Sequence, residues 1–247
     1  MSVALITGAS RGIGRATALL LGAQGYTVAV NYLHNAAAAQ EVVERIVASG
    51  GRAFAIQADI SDEPQVMAMF REIDERGEPL GALVNNAGVL FTQCMTENLT
   101  AERINKVLAT NVTGYFLCCR EAVKRMAHHH GGKGGAIVNV SSAASRLGAP
   151  GEYVDYAASK GAVDSLTIGL SLEVAAQGIR VNGVRPGLIY TDIHASGGEP
   201  GRVDRVKSVL PMQRGGQPEE VAEAIAWLLS DKASYVTGSF LDLAGGK

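Results

Sequence analysis

Tyr156 and Lys160 stand four residues apart in Tyr156-Ala157-Ala158-Ser159-Lys160, so on a helix both project from one face. The chemistry such a pair can do is proton transfer. A phenol of ordinary pKa ~10 is a poor acid–base catalyst at neutral pH, but an ammonium one helical turn away favours the phenolate and moves the group toward working range. The bare spacing describes a solvated helix face equally well. It gains meaning only from the residues that accompany it.

A second group is Thr7-Gly8-Ala9-Ser10-Arg11-Gly12-Ile13-Gly14, between the apolar run Val3-Ala4-Leu5-Ile6 and a helical pattern. This reads as strand, phosphate turn, helix. Glycines at 8, 12 and 14 let the backbone turn tightly and approach a pyrophosphate, which free N–H groups and the positive end of the helix dipole would then meet. The spacing Gly-x-x-x-Gly-x-Gly differs from the common dinucleotide fingerprint Gly-x-Gly-x-x-Gly, but the same mechanism applies. A glycine-rich turn that merely joins strand to helix is the plainer alternative.

The elements that must position these residues follow from periodicity. After the first strand, β-type runs fall at 27–31, 53–57, 82–85, 136–141, 180–184 and 240–243, separated by helix-period stretches at 36–49, 63–76, 101–127, 154–177 and 218–229. Such alternation predicts an α/β fold, a doubly wound and mostly parallel sheet with helices on both faces. Ligands of such sheets bind beyond the carboxyl ends of the strands. Gly8–Gly14, Asn86-Ala87-Gly88, Ser141-Ser142 and Arg185-Pro186-Gly187 all fall at those ends, so four loops are expected to converge on one crevice.

The chain of 247 residues shows no linker, repeat or charge block, which predicts one domain over 1–247. A formal net charge of −2 provides no basic field for nucleic acid or an anionic membrane, so a small-molecule partner is expected. Cys94, Cys118 and Cys119 have no zinc or disulfide spacing and read as small hydrophobes of a reducing compartment. With the first strand starting at Val3 and no long apolar run, a soluble cytoplasmic protein is expected. His128-His129-His130 before Gly131-Gly132 reads as a helix-ending loop, and no metal is predicted.

Taken together, Thr7-Gly8-x3-Gly12-x-Gly14, Asn85-Asn86-Ala87-Gly88, Asn111, Ser142, Tyr156-x-x-x-Lys160 and Pro186-Gly187 resemble the short-chain dehydrogenase/reductase family, in the branch that includes ketoacyl reductases and glucose dehydrogenases. The resemblance covers the whole chain. It implies a single-domain Rossmann fold, a nicotinamide cofactor, and reversible reduction of a ketone to a secondary alcohol. It assigns Tyr156 as general acid and base and Lys160 as its activator and holder of the nicotinamide ribose. Ser142 orients the substrate oxygen, and Asn111 supports a proton relay through a local helix irregularity. The cofactor set it implies is Gly8, Ser10, Arg11, Gly12, Ile13, Gly14, Asn31, Asp59, Ile60, Asn86, Ala87, Gly88, Tyr156, Lys160, Pro186, Gly187, Ile189 and Thr191, with Asp59 at the adenine and Thr191 at the carboxamide.

Three departures from the family pattern stand out. Thirteen residues separate Ser142 from Tyr156, one more than is usual, which alters the loop 146–155. Ala175-Ala176-Gln177 lacks the basic residue associated with carrier-protein docking in ketoacyl reductases. The lid region 194–201 is rich in glycine.

Cofactor choice rests on the end of the second strand. An NAD enzyme places an acid there for the ribose 2′-OH, whereas this chain offers Asn31, Tyr32, His34 and Asn35, with Arg11 in the glycine turn. NADP(H) is therefore expected over NAD. Two long helices with apolar residues on several faces, and the resembling families, imply a homodimer or homotetramer. Segment 192–210 is the expected flexible substrate lid; Arg202, Arg205 and Lys207 in it read as a solvated helix face rather than an anion site. The alternatives are a non-catalytic dinucleotide sensor or assembly protein on the same fold, and a methyl transferase. An intact Tyr/Lys/Ser/Asn set argues against both.

Overall fold

The computed structural model describes residues 2–247. Among them, seven strands form one sheet, all parallel, in the order β3-β2-β1-β4-β5-β6-β7. The strands are β1 (Val3–Ile6), β2 (Thr27–Tyr32), β3 (Arg52–Gln57), β4 (Leu80–Asn85), β5 (Gly135–Val140), β6 (Ile179–Pro186) and β7 (Phe240–Leu243). Val3, Ala4, Leu5 and Ile6 are all fully buried, because helices cover both faces of the sheet. That is why β1 reads as an unbroken apolar run instead of alternating.

Helices α1 (Gly12–Ala23), α2 (Ala36–Ala48) and α10 (Pro218–Leu229) cover one face, with Leu21, Val42, Ile46, Val221 and Ile225 in its core. Helices α3 (Glu63–Glu75), α5 (Gly114–Met126) and α7 (Val154–Val174) cover the other, through Phe70, Ile73, Tyr115, Met126, Val163 and Leu166. Caps set several starts: Asn35 accepts from Ala38 N at 2.9 Å, Asp62 from Gln65 N at 3.0 Å, and the Glu220 carboxylate from Gln217 N at 2.8 Å. The remaining helices are α4 (Ala101–Leu108), α6 (Ala144–Leu147), α8 (Ile193–Ser196) and α9 (Arg202–Val206).

This is the Rossmann-like α/β architecture expected from the sequence, with local corrections. The helix expected over 101–127 is two helices joined by a π-helical turn, Ala109–Thr113. Close packing accompanies the break, since a Cβ on Gly114 would lie 2.8 Å from Ile60. The helix expected over 154–177 ends its α-helical part at Val174 and tightens to a 3-10 turn before Gly178, whose φ is +76°. β6 continues through Arg185 and Pro186, so those residues belong to the strand and not to the loop beyond it, while Ser141 falls just after β5. No helix among the described residues is long and apolar enough to cross a membrane.

Candidate active site

A cleft of about 1140 Å³ opens where the sheet order reverses, between β1 and β4. The glycine turn forms one wall. Gly8 has φ +62°, and a Cβ there would come 2.9 Å from Ala87 Cα, so a side chain is excluded by both conformation and space. Thr7 Oγ1 accepts from Asn86 N at 2.9 Å and Ala87 N at 3.0 Å, and Asn86 Nδ2 donates to the Thr7 and Gly8 carbonyls. The turn after β1 and the loop after β4 are thus bonded into one floor.

α1 begins at Gly12 with no side-chain cap on Arg11 and no acid in its first turn. Its first N–H groups and dipole therefore remain available, the donor set a pyrophosphate requires. The residues present fit a dinucleotide on this ground.

Gly8, Ser10, Arg11, Gly12, Ile13, Asn86, Ala87, Gly88, Ser142, Tyr156, Lys160, Pro186, Gly187, Ile189 and Thr191 all line the cleft. Gly14 lies beneath the turn. Asn31, Asp59 and Ile60 are not on the cleft wall, and their side chains have other work. Asn31 is buried, accepts from Gly8 N at 3.2 Å and donates to the Ile56 and Ala58 carbonyls at 3.4 and 3.1 Å. It touches the glycine turn directly at Gly8 N but does not reach the cleft surface. Asp59 accepts from Ser61 N and Oγ at 2.8 and 2.7 Å, and Ile60 packs against the Gly114 backbone.

Asn111 is fully buried in the π-helical turn. Its Oδ1 accepts from Val89 N at 2.8 Å, while Nδ2 donates to Val89 O and to Ser159 Oγ, both at 3.1 Å. It thereby joins the loop after β4 to the helix that carries Tyr156. Ser142 follows β5 and accepts at Oγ from Ala144 N at 3.1 Å.

Charge states at the centre differ from the simple Tyr–Lys picture. Lys160 Nζ donates to Val140 O at 2.7 Å and Tyr115 Oη at 3.4 Å, and lies 5.6 Å from the centre of the Tyr156 ring. Burial lowers Lys160 to about 7, opposed by the charge of Asp164. Burial raises Tyr156 to about 12, with the Ser142 hydroxyl pulling the other way. The expectation that Lys160 depresses the Tyr156 pKa is therefore corrected: burial raises it, and the opposing influence comes from the Ser142 hydroxyl. Tyr115, one turn past Asn111 and fully buried, is a member of this centre that sequence reasoning missed; its Oη donates to Val140 O at 3.2 Å.

The far end of the cleft is lined by Leu90, Tyr153, His194, Arg202, Val209 and Leu210; Tyr153 belongs to the loop 146–155 and the last four to the expected lid segment 192–210, whereas Leu90 was not singled out by the sequence. The cations of segment 192–210 are engaged: Arg202 with Glu152 and Glu199, Arg205 with Glu199, and Lys207 with Asp204 at 2.7 Å. Gln93 Nε2 also donates to Glu199 at 2.8 Å.

The start of α7 is held by a fork. Arg103 Nε and Nη2 donate to Asp155 at 2.8 and 3.3 Å, and the Asp155 side chain is only 2% exposed. Removing the cation strands a buried carboxylate beside Tyr156. Arg103→Ala is expected to lower unfolding free energy by about 3 kcal/mol or more. Lys106→Ala, which breaks an exposed pair with Glu102 on the same helix, should cost below about 0.5 kcal/mol. Urea melts of the two variants compare them directly; equal small losses would show that Asp155 finds water instead.

A family model described as enoyl-(acyl carrier protein) reductase matches residues 8–247. The Escherichia coli protein named uncharacterized oxidoreductase YgfF is 79% identical over 247 residues, 100% of each chain. The 3-oxoacyl-(acyl-carrier-protein) reductase FabG of Staphylococcus aureus is 39% identical over 243 residues, 98% of this chain and 96% of that one. A solved double mutant of a Serratia marcescens short-chain dehydrogenase/reductase superposes with TM-score 0.90 at 33% identity, covering 99% of this chain and 97% of its own. With the parallel sheet, the glycine turn and the Tyr156/Lys160 helix already in place, these similarities identify the chain as a member of the short-chain dehydrogenase/reductase family of oxidoreductases.

Proposed function

We propose that the protein is an NADP(H)-dependent carbonyl reductase, reversible as a secondary-alcohol dehydrogenase, with Tyr156 as its general acid and base. The observation that carries this reading is the meeting of Ser142, Tyr156 and Lys160 in the one cleft that the glycine turn also lines. When bound, the nicotinamide supplies or accepts the hydride. Tyr156, held near pKa 12, is a protonated phenol at neutral pH, the form that donates to a carbonyl oxygen. Ser142 donates a hydrogen bond to that oxygen and orients it. Lys160 stabilises the phenolate left behind and holds the ribose hydroxyls, and the Asn111–Ser159 bond keeps the helix in register with the loop after β4.

Uncharged carbonyl compounds are the favoured substrates, because the cations of segment 192–210 are already ion-paired. That segment serves as the lid, and the chain acts as one domain. Phe116, Ile168 and Leu172, 51%, 48% and 77% exposed on α5 and α7, supply an apolar face for a symmetric homodimer or homotetramer. The three free thiols suit the cytoplasm.

The test is incubation with NADPH and a panel of ketones, keto sugars and 3-oxoacyl thioesters, following loss of NADPH absorbance. Turnover on at least one supports the reading. NADPH binding with no turnover on any of them would favour the non-catalytic sensor.

NADP(H) preference is supported by the end of β2 and the turn after it, where Tyr32, Leu33, His34 and Asn35, none of them a carboxylate, line the same cleft as Arg11 and Arg15. NADPH should bind about tenfold or more tightly than NADH, and Arg11→Ala should erase most of that difference by removing a charge-assisted contact. Fluorescence titration of both nucleotides measures it; tighter NADH binding would overturn the assignment.

A further inference from the structure

Asp164 has no part in the chemistry described above, yet it lies one helical turn beyond Lys160 on α7 and is 14% exposed. Its Oδ1 accepts from Ser141 Oγ at 2.6 Å, and its Oδ2 from Arg185 Nε at 3.0 Å. Ser141 Oγ also lies 3.2 Å from the Lys160 carbonyl, and Ser141 N donates to Val184 O at 2.9 Å. Arg185 lies over the Phe240 ring at 3.8 Å, with Nη1 3.6 Å from Asp242. One carboxylate therefore clamps α7 to the ends of β5 and β6, the elements that present Ser142 and Pro186-Gly187 to the cleft.

We propose that Asp164 is a positioning residue of the reaction, setting the charge state of Lys160 along the helix and the placement of Ser142 through Ser141. The inference deepens the oxidoreductase reading and rests on it for its catalytic consequence. Lys160 is buried, and burial alone drives an amine toward its neutral form. The ionisable groups facing it are Tyr156 and Asp164 from α7 and Tyr115 from α5, with the Val140 carbonyl from β5. Both phenols are held above their ordinary pKa by burial and are neutral near pH 7. Asp164 is thus the anion that opposes desolvation of Lys160, and Arg185, itself shared with Asp242, moderates its field. An ammonium is worth keeping there because it stabilises the Tyr156 phenolate.

The test reads Lys160 directly, without substrate. Trace labelling with acetic anhydride modifies only the neutral amine, and peptide mass spectrometry across about pH 5 to 10 reports the Lys160 midpoint in the free protein. The wild-type midpoint is expected near 7. In Asp164→Asn, which keeps an acceptor for Ser141, the midpoint should fall by about one unit, so labelling about one pH unit below the wild-type midpoint rises several-fold, while labelling at the midpoint itself rises by less than about twofold. Arg185→Gln, which uncovers Asp164, should move it upward, and Ser141→Ala should leave it in place. An unmoved midpoint in folded Asp164→Asn would overturn the proposal. If that variant does not fold, an unmoved or lowered midpoint in Arg185→Gln would overturn it instead. With a ketone found by the panel, the alkaline limb of kcat/KM should shift with the labelling midpoint. Absence of any turnover in the panel would sink the oxidoreductase reading while leaving the labelling result interpretable.

Discussion

Tyr156→Phe is expected to lower turnover by a factor of about 10² to 10⁴ while NADPH affinity changes by less than about threefold. The ring stays and the proton goes. Lys160 Nζ donates to Val140 O and Tyr115 Oη, and neither bond involves the Tyr156 hydroxyl. Loss of that hydroxyl therefore leaves the lysine anchored and the glycine turn untouched. Steady-state rates and NADPH fluorescence titration on the same preparation separate the two effects. A mutant within about threefold of wild type in kcat would show that proton delivery comes from elsewhere, and Tyr115 would be the next residue to replace.

Gly14→Ala should be nearly as damaging, but through binding. The added Cβ would lie 2.5 Å from Asn86 Nδ2 and 2.5 Å from the Gly8 carbonyl oxygen, with Ala9 Cα at 3.0 Å. Two of the three obstacles are backbone and cannot rotate away. Relief requires α1 to move off the loop after β4, which breaks the bonds from Asn86 to Thr7 and Gly8 and displaces the uncapped N–H groups of α1. NADPH affinity is expected to fall by more than about tenfold, and stability by about 1–3 kcal/mol from strain and lost hydrogen bonds. Gly161→Ala on α7 is the control, since no atom lies within 4 Å of a Cβ there. Similar losses in both would mean that the effect is not one of close approach.

Why these elements could be read in advance, and others not, has a physical basis. Strands buried on both faces appear as short apolar runs between glycine and proline signals, and Val3–Ile6 could hardly be anything else. The same burial hides which face a polar strand residue points to. Asn31 was expected at the cofactor, but its amide is consumed by Gly8 N and two carbonyls, a fact that depends on β2 pairing with β3. The π-helical turn at Asn111 is likewise set by tertiary contact, with Ile60 on one side and Val89 on the other. Nothing in the residues 101–127 taken alone requires it. Charge states were the least legible. Spacing places Lys160 beside Tyr156, but the direction in which each titrates comes from depth, and depth is a property of the packed fold.

The strand order carries a consequence for synthesis on the ribosome. β1 is an interior strand, third of the seven, yet is translated before the other six, and of its two neighbours β2 arrives early, whereas β4 begins only at Leu80. Once β2 and β3 have emerged, the nascent chain can pair one side of β1 and leave the other side open, a wholly apolar strand with unmet N–H and C=O groups. At about 5–20 residues per second that exposure lasts on the order of seconds. Chains arrested after β3 should therefore be held by a chaperone in a pull-down, and chains arrested well after β4 should be released. The candidate cleft opens at the same place, so the seam proposed to take the nucleotide is the last seam of the N-terminal half to close.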